Sequence, residues 1–222
     1  ATALSLLPNY PSPESTAAFA RALADEDALV RYTAVNNAGA ETAEKYVDLL
    51  APLLFDPVRS VRIMAASRLA DAPPELLEPY QQEALSSGLE EYEAAMVYSL
   101  DFSFGGFNLA NLYSRLGDAV KAEMYYRTAL DIDGLFIPAR ANLAILLNSL
   151  GRNEEAEARL RAALEAEPEL YDLSYSLGLL LAEMGRYEEA EEYLARAVAG
   201  MPDHPRAGYN LQQVRDYLES LK

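Results

Sequence analysis

The chain has no cysteine, no tryptophan and a single histidine among its 222 residues. Without cysteine it forms neither disulfides nor thiolate metal ligands. His204, in the turn Asp203-His204-Pro205, has no second histidine or cysteine with which to form a metal site or a nucleophile–base pair. The composition therefore predicts a protein that is not an enzyme, with no catalytic residues, no metal and no cofactor, and it predicts that His204 is a solvated loop residue.

Basic residues are also scarce, since 18 lysines and arginines stand against 35 acidic residues and give a net charge of −17. Phosphate binding needs a basic face, so nucleic acid is not an expected partner. No apolar run approaches the ~20 residues that cross a bilayer, and no basic segment suits an anionic lipid surface, so membrane insertion is not expected either. The lack of cysteine leaves the compartment open.

One pattern of small and large residues is written three times in the second half of the chain. Gly117, Gly151 and Gly185 stand 34 residues apart, and the same residue types recur at the same offsets from each of them. The offsets place a leucine before each glycine (Leu109, Leu143, Leu177) and two alanines after it (Ala122 and Ala129, Ala156 and Ala163, Ala190 and Ala197). A period of this length predicts stacked helical hairpins that turn at the glycines.

Each unit is predicted as two helices, for example Ile137 to Leu150 and Asn153 to Ala166. The segment from Arg206 to Leu221 is predicted as a final helix that caps the stack with a polar exposed side. The repeated pattern resembles the tetratricopeptide repeat family over roughly half of the chain. This resemblance implies an all-α, right-handed α-solenoid whose concave face is lined by the first helix of each hairpin and binds a protein or peptide.

A shorter repeat occupies residues 11–72. Asp25 is followed by Val30-Arg31 and Ala34, and 31 residues later Asp56 is followed by Val61-Arg62 and Ala65. An aspartate in front of a helix accepts hydrogen bonds from free amides, and the arginine that follows can reach the aspartate of the next unit. The repeat resembles the HEAT family, which implies HEAT-like helical hairpins ahead of the three tetratricopeptide hairpins and the capping helix.

Three segments are expected from these patterns: HEAT-like repeats over 1–74, a connecting helix or linker over 75–102, and the tetratricopeptide array with its cap over 103–222. Pro73-Pro74 marks the first boundary because it breaks a helix. The connecting helix is predicted to break at Ser86-Ser87-Gly88, and residues 101–106 are predicted to be a flexible lead-in to the array. Ala1 is not a start methionine, and the opening residues 1–7 read as a helix without a cap, so we expect a fragment of a longer protein.

The candidate binding site is a groove along the first helices of the array. Asn108, Asn142, Ser176 and Asn210 stand at equivalent positions, and a column of such polar groups can pair with the backbone of an extended peptide. The apolar and polar residues expected around them are Phe104, Phe107, Asn111, Arg115, Ile145, Tyr175, Leu179 and Tyr209. The alternatives are that asparagine is simply common at this position of the family and that Phe107 and Tyr175 only pack on neighbouring helices.

One ligand of the resembled family is disfavoured. A variant of that family grips the acidic carboxyl terminus of chaperones with basic side chains beside such asparagines. Asn111 and Asn142 occupy two of the positions, but Phe107, Asp172 and Ser176 stand where basic or amide groups are needed.

The order of the segments suggests a further resemblance. Together with the stretches Asp56-Pro57-Val58-Arg59-Ser60-Val61-Arg62 and Pro73-Pro74-Glu75-Leu76-Leu77, it is similar to the carboxyl-terminal part of a family of bacterial secreted multihaem c-type cytochromes. The chain contains no Cys-x-x-Cys-His motif and so no haem attachment site. The resemblance implies a non-enzymatic scaffold that docks or organises c-type cytochromes in the periplasm or outside the cell.

Three functions thus remain open at the level of sequence. The first is an interaction scaffold of an electron-transfer assembly, and the second is a peptide-binding adaptor that uses the asparagine-lined groove. The third is a structural subunit that stacks end to end with copies of itself, since solenoid repeats can continue between chains.

Overall fold

The computed structural model describes Leu4 and residues 13–221, and all the regular elements of these residues are helical. The predicted helix over residues 1–7 lies, apart from Leu4, outside the described residues. Contacts divide the chain into two compact units, one reaching to Tyr98 and including Arg115–Gly117, the other made of Ser99–Ser114 and the residues from Asp118 onward.

The first unit contains α1 (Pro13–Ala22), α2 (Ala28–Asn37), α3 (Ala43–Leu50), α4 (Arg59–Arg68) and α5 (Pro79–Tyr98), with 3₁₀ turns at Ala51–Phe55 and Pro74–Leu76. The second unit contains α6 (Ser103–Arg115), α7 (Ala119–Ile132), α8 (Ile137–Ser149), α9 (Asn153–Ala166), α10 (Tyr171–Glu183), α11 (Tyr187–Gly200) and α12 (Ala207–Ser220). These bounds agree closely with the helices predicted from the 34-residue repeat.

A two-pronged ion pair joins successive repeats of the first unit. Arg31 of α2 donates from Nε and Nη2 to the two carboxylate oxygens of Asp56, at 2.7 and 3.0 Å. One repeat further on, Arg62 of α4 donates to Glu91 of α5 at 3.3 Å. The predicted contact between an arginine and the aspartate of the next unit is therefore confirmed.

Asp56 also prepares the start of α4. Its Oδ1 accepts the Val58 backbone N–H at 2.8 Å, as the sequence predicts for an aspartate in front of a helix. Burial by itself would raise the pKa of Asp56, but the hydrogen bonds from Arg31 and from the Val58 amide outweigh it and hold the pKa below its usual value.

Two predicted irregular segments are helical instead. The expected break at Ser86-Ser87-Gly88 is wrong, because α5 runs through it, and the expected flexible lead-in is wrong from Ser103 onward, because α6 begins there. The glycines serve close packing: a Cβ at Gly88 would lie 2.6 Å from the Ala66 Cβ, and one at Gly106 would lie 3.0 Å from the Tyr125 carbonyl oxygen.

The three repeat glycines lie at the predicted turns between paired helices. Gly117, Gly151 and Gly185 have φ angles of 75, 73 and 78° and lie in equivalent turns between the two helices of a hairpin. Beyond Gly151, the Arg152 amide donates back to the Leu147 carbonyl at 2.8 Å, and Arg186 bonds Leu181 in the same way at 2.9 Å. This arrangement closes a helix end when the turning residue is left-handed, which favours glycine.

The core of the second unit follows the repeat as predicted. The six alanines that follow the glycines are at most 1% exposed, which lets the paired helices approach closely, and the three leucines that precede the glycines are equally buried. The exposed side of α12 carries Gln212, Gln213, Arg215, Asp216 and Glu219, as expected of a capping helix.

Gly178 offers a direct test of this close packing. A Cβ at this position of α10 would lie 2.7 Å from Leu194 Cγ and 3.1 Å from the Leu194 backbone nitrogen of α11. We expect Gly178→Ala to lower the free energy of unfolding by about 1 to 2 kcal/mol in spite of the better helix propensity of alanine. In the control Gly208→Ala, in α12, the new Cβ meets nothing within 4 Å. This variant should be neutral or slightly stabilised in denaturant unfolding, and equal losses in both variants would contradict the packing argument.

Candidate functional site

The first helices of the three repeats, α6, α8 and α10, form with the capping helix α12 a surface that we call the first-helix face. One side-chain hydrogen bond joins each successive pair of them. Asn142 Nδ2 of α8 donates to Asn111 Oδ1 of α6 at 2.9 Å, Asn148 of α8 donates to Glu183 of α10, and Asn210 Nδ2 of α12 donates to the Tyr175 hydroxyl of α10 at 2.8 Å. These bonds fix the spacing of the helices on this face.

The predicted column of polar groups is thus partly occupied within the chain. Asn111 Oδ1 accepts from Asn142 and also from the Tyr126 hydroxyl at 2.7 Å, which fills both of its acceptor positions. The Ser176 hydroxyl donates to the Asp172 carbonyl at 2.9 Å, and Asn108 is half-buried. Pairing of this column with a peptide backbone stays a prediction. Fewer of its amide groups are available to a peptide than the sequence suggests, because some already bond within the chain.

A cleft of about 160 Å³ opens between α8 and α10 on the first-helix face. Its apolar lining comes from Ala144, Ile145, Leu160, Leu179 and Leu180. Its polar lining comes from Asn148, Tyr175, Ser176 and Glu183. The cleft brings together four of the residues singled out in the sequence, Ile145, Tyr175, Ser176 and Leu179. Ile145 is 62% exposed, so the apolar surface of the cleft continues to the solvent-facing side of α8.

The remaining predicted residues lie apart from the cleft. Phe107 is half-buried and packs edge-on against Phe136, with ring centroids 5.3 Å apart. It therefore has the packing role that the sequence offers as the alternative to ligand binding. Phe104 stacks on Phe102 at 5.6 Å, and Tyr209 is largely exposed. Arg115 belongs to the first compact unit, where it donates to the Ser67 carbonyl at 2.9 Å.

His204 lies in the loop before α12, as the sequence predicts, but it is half-buried and hydrogen-bonded instead of fully solvated. Its Nδ1 accepts the backbone N–H of Ala207 at 3.0 Å and that of Arg206 at 3.3 Å, so the imidazole caps the start of α12. Its ring lies against Tyr175, with centroids 4.5 Å apart. The histidine therefore has a structural role at the start of α12, next to the cleft residue Tyr175.

The second helices carry most of the ion pairs of the second unit. Arg127 of α7 binds Glu155 of α9 at 2.8 Å, and Arg152 binds Glu123 at 2.6 Å. The same exchange recurs 34 residues later, where Arg161 binds Glu189 and Arg186 binds Glu157. Hydrogen bonds from Arg127, Arg152 and Arg159 lower the pKa of Glu155 to about 2. These ion pairs stabilise the stack of helices fully at pH values above the usual glutamate pKa. Their contribution is lost as the pH falls towards 2, where the glutamates become protonated.

Asn148 and Glu183 are the two cleft residues with polar chemistry that sequence reasoning missed. Both could have been found from helical spacing, because Asn148 follows Ile145 by three residues and Glu183 follows Leu179 by four, which places each pair on one helix face. Within residues 13–221 and Leu4, no group of histidines and carboxylates is arranged to hold a metal ion. Over the same residues, no helix combines the length and the apolar character needed to cross a bilayer.

The comparisons with known proteins agree with the repeat architecture. Residues 107–134 and 142–205 match models of the tetratricopeptide repeat, so the predicted repeats are confirmed in this part of the chain. The HEAT resemblance of residues 11–72 stays a prediction. No curated protein matches the chain.

Three solved structures show the same fold. A thermophilic tetratricopeptide protein of Thermus thermophilus, TTC0263, is 17% identical and aligns over 91% of this chain and 98% of its own, with a TM-score of 0.56. YrrB, described as a tetratricopeptide protein with an unusual peptide-binding site, is 20% identical over 88% and 98%, with a TM-score of 0.50. The first such domain of human RPAP3 is 19% identical over 55% and 95%, with a TM-score of 0.50.

Proposed function

We propose that the protein is a binding module that captures an extended segment of a partner protein, and that the cleft between α8 and α10 receives one large apolar side chain of that segment. Tetratricopeptide repeats generally serve as non-catalytic scaffolds for protein or peptide binding. The observation that carries the proposal is the cleft itself, an apolar concavity whose rim residue Ile145 is exposed to solvent.

The dimensions of the cleft favour a side chain over a whole helix. A volume of about 160 Å³ has room for one large aliphatic or aromatic group, and such an anchor in a pocket commonly dominates the affinity of an interface. The hydrogen bonds between successive first helices hold both walls in place before binding, which lowers the entropy cost of association.

An NMR titration with short, capped Gly/Ser peptides tests the proposal. One peptide carries a single central phenylalanine and the blank carries serine there. We expect the phenylalanine peptide alone to shift the amide signals of Ile145, Ser176 and Leu179. Ile145→Asp should weaken its binding at least tenfold, because a carboxylate at the rim disfavours entry of an apolar ring.

The matched control is Val120→Asp, which places the same acid on an exposed apolar position of α7 outside the cleft. It should bind the phenylalanine peptide as the parent does. Equal binding by the parent and by Ile145→Asp would overturn the proposal. So would shifts of the cleft amides with protein concentration in the absence of peptide, since the occupant would then be a second copy of the chain.

The docking of c-type cytochromes outside the cytoplasm is a narrower form of this function. Its support is the sequence resemblance described above, including the stretch Pro73-Pro74-Glu75-Leu76-Leu77. The cytochrome partner, the extracytoplasmic location and self-association stay predictions.

A further inference from the structure

The charge of the cleft is one-sided. Glu183 is the one charged group among the described residues that line it, and none of them is basic. Within the described chain Glu183 forms no ion pair with a basic residue, and its carboxylate accepts a hydrogen bond from Asn148 through Oε2. This bond orients the carboxylate at the rim without neutralising its charge.

The backbone adds to this negative potential. α8 ends at Ser149 and α10 ends at Glu183, so the end of the cleft that holds Asn148 and Glu183 lies at the carboxyl ends of two neighbouring helices. Carboxyl ends of helices carry partial negative charge and favour a cation nearby. The other end of the cleft, near Tyr175 and Ser176, lies in the middle of α10 and lacks this effect.

Four arginines on the second helices or directly before them already bind carboxylates. Arg127, Arg152, Arg161 and Arg186 each bind two glutamates. Since Glu183 has no ion pair among the described residues, its cation would come from the ligand, and the net charge of −17 would attract such a ligand over a distance.

We propose that the preferred ligand of the cleft is a segment with a lysine or arginine close to its apolar anchor, and that Glu183, with the two helix ends, binds this positive charge. This inference rests on the proposed function, because the cation is placed by the anchor that enters the cleft. The cleft should therefore prefer segments that are both basic and apolar over acidic segments.

The test extends the phenylalanine peptide into a set with one further residue, arginine, glutamine or glutamate, placed two or four positions to either side of the phenylalanine. Affinities are measured by NMR titration at low and at high salt. At low salt we expect the best arginine peptide to bind about fivefold more tightly than its glutamine counterpart, as for a partly exposed ion pair, and the glutamate peptide to bind more weakly than both. High salt should reduce the differences.

Three variants separate a local effect from the overall charge. Glu183→Gln should remove most of the arginine preference and leave only the contribution of the helix ends, and Glu183→Arg should reverse the preference towards glutamate. Glu188→Gln removes the same charge from an exposed position of α11 that does not line the cleft, and it should keep the preference.

The two ways of failing are distinct. If no phenylalanine peptide shifts the cleft amides, the proposed function fails and this inference fails with it. If phenylalanine peptides bind but arginine and glutamine peptides bind equally, or if the arginine preference is undiminished in Glu183→Gln, only the inference on charge is overturned.

Discussion

Leu143→Ala is expected to lower the free energy of unfolding of the second unit by about 3 kcal/mol, the middle of the usual range for a fully buried leucine. Leu143 is 1% exposed in the middle of α8 and fills the space left by the repeat alanines. The loss combines the transfer free energy of the removed methyl groups with the cost of the cavity they leave. Because the chain has two compact units, unfolding in urea should be followed by the α8 amide signals and not by total helix content alone.

Ile145→Ala on the same helix is the matched control for this loss. It removes a similar number of carbon atoms from a side chain that is 62% exposed, so we expect a change of less than about 0.5 kcal/mol. It should still weaken binding of the phenylalanine peptide. Equal destabilisation by the two substitutions would mean that Leu143 does not lie in a close-packed core.

Asp56→Ala is expected to lower the free energy of unfolding of the first unit by about 2 kcal/mol, because it removes the buried carboxylate that accepts two hydrogen bonds from Arg31. The Asp56 side chain is 4% exposed and that of Arg31 is 12% exposed, and two hydrogen bonds join them. The substitution also removes the acceptor of the Val58 amide at the start of α4. Denaturant unfolding followed on α2 and α4 amide signals measures the loss.

The acid dependence of stability tests the same ion pair. Since the pKa of Asp56 is lowered in the folded state, its contribution is complete above the ordinary aspartate pKa of about 3.9 and is lost as the pH falls through the folded value. Asp56→Ala should lack this part of the acid dependence. The control Glu41→Ala removes a carboxylate that is 83% exposed and paired with Lys45, and it should leave the stability nearly unchanged. A loss in Glu41→Ala as large as in Asp56→Ala would contradict the account.

Much of the second unit could be predicted from the sequence because one constraint is repeated at a fixed period. Gly117, Gly151 and Gly185 each need a left-handed backbone, and the leucines and alanines around them need each other's volumes. Because each repeat must stack on a repeat of the same shape, the positions of its helices can vary little. The observed helix bounds therefore lie close to the predicted ones. The pairing of Arg31 with Asp56 could be predicted for the same reason, since it joins one unit to the next.

The glycines of α5 and α6 misled the sequence interpretation because a glycine has two uses. At Gly88 and Gly106 it brings two helices close together, and only the identity of the packed neighbour distinguishes this from a flexible break. The candidate site was predicted in part for a related reason. Ile145, Tyr175 and Leu179 could be placed on the first helices, but whether two helices leave a cleft between them depends on their separation, which the sequence does not specify.

The most direct test of the central claim, that the cleft between α8 and α10 is the binding site, is paramagnetic relaxation by a nitroxide placed next to the phenylalanine of the best arginine peptide. The account predicts that the amide signals of Ile145, Asn148, Ser176 and Leu179 lose intensity most, and that the loss disappears in Ile145→Asp. Signal loss centred on the second helices or on the first unit, with these four amides unaffected, would contradict it.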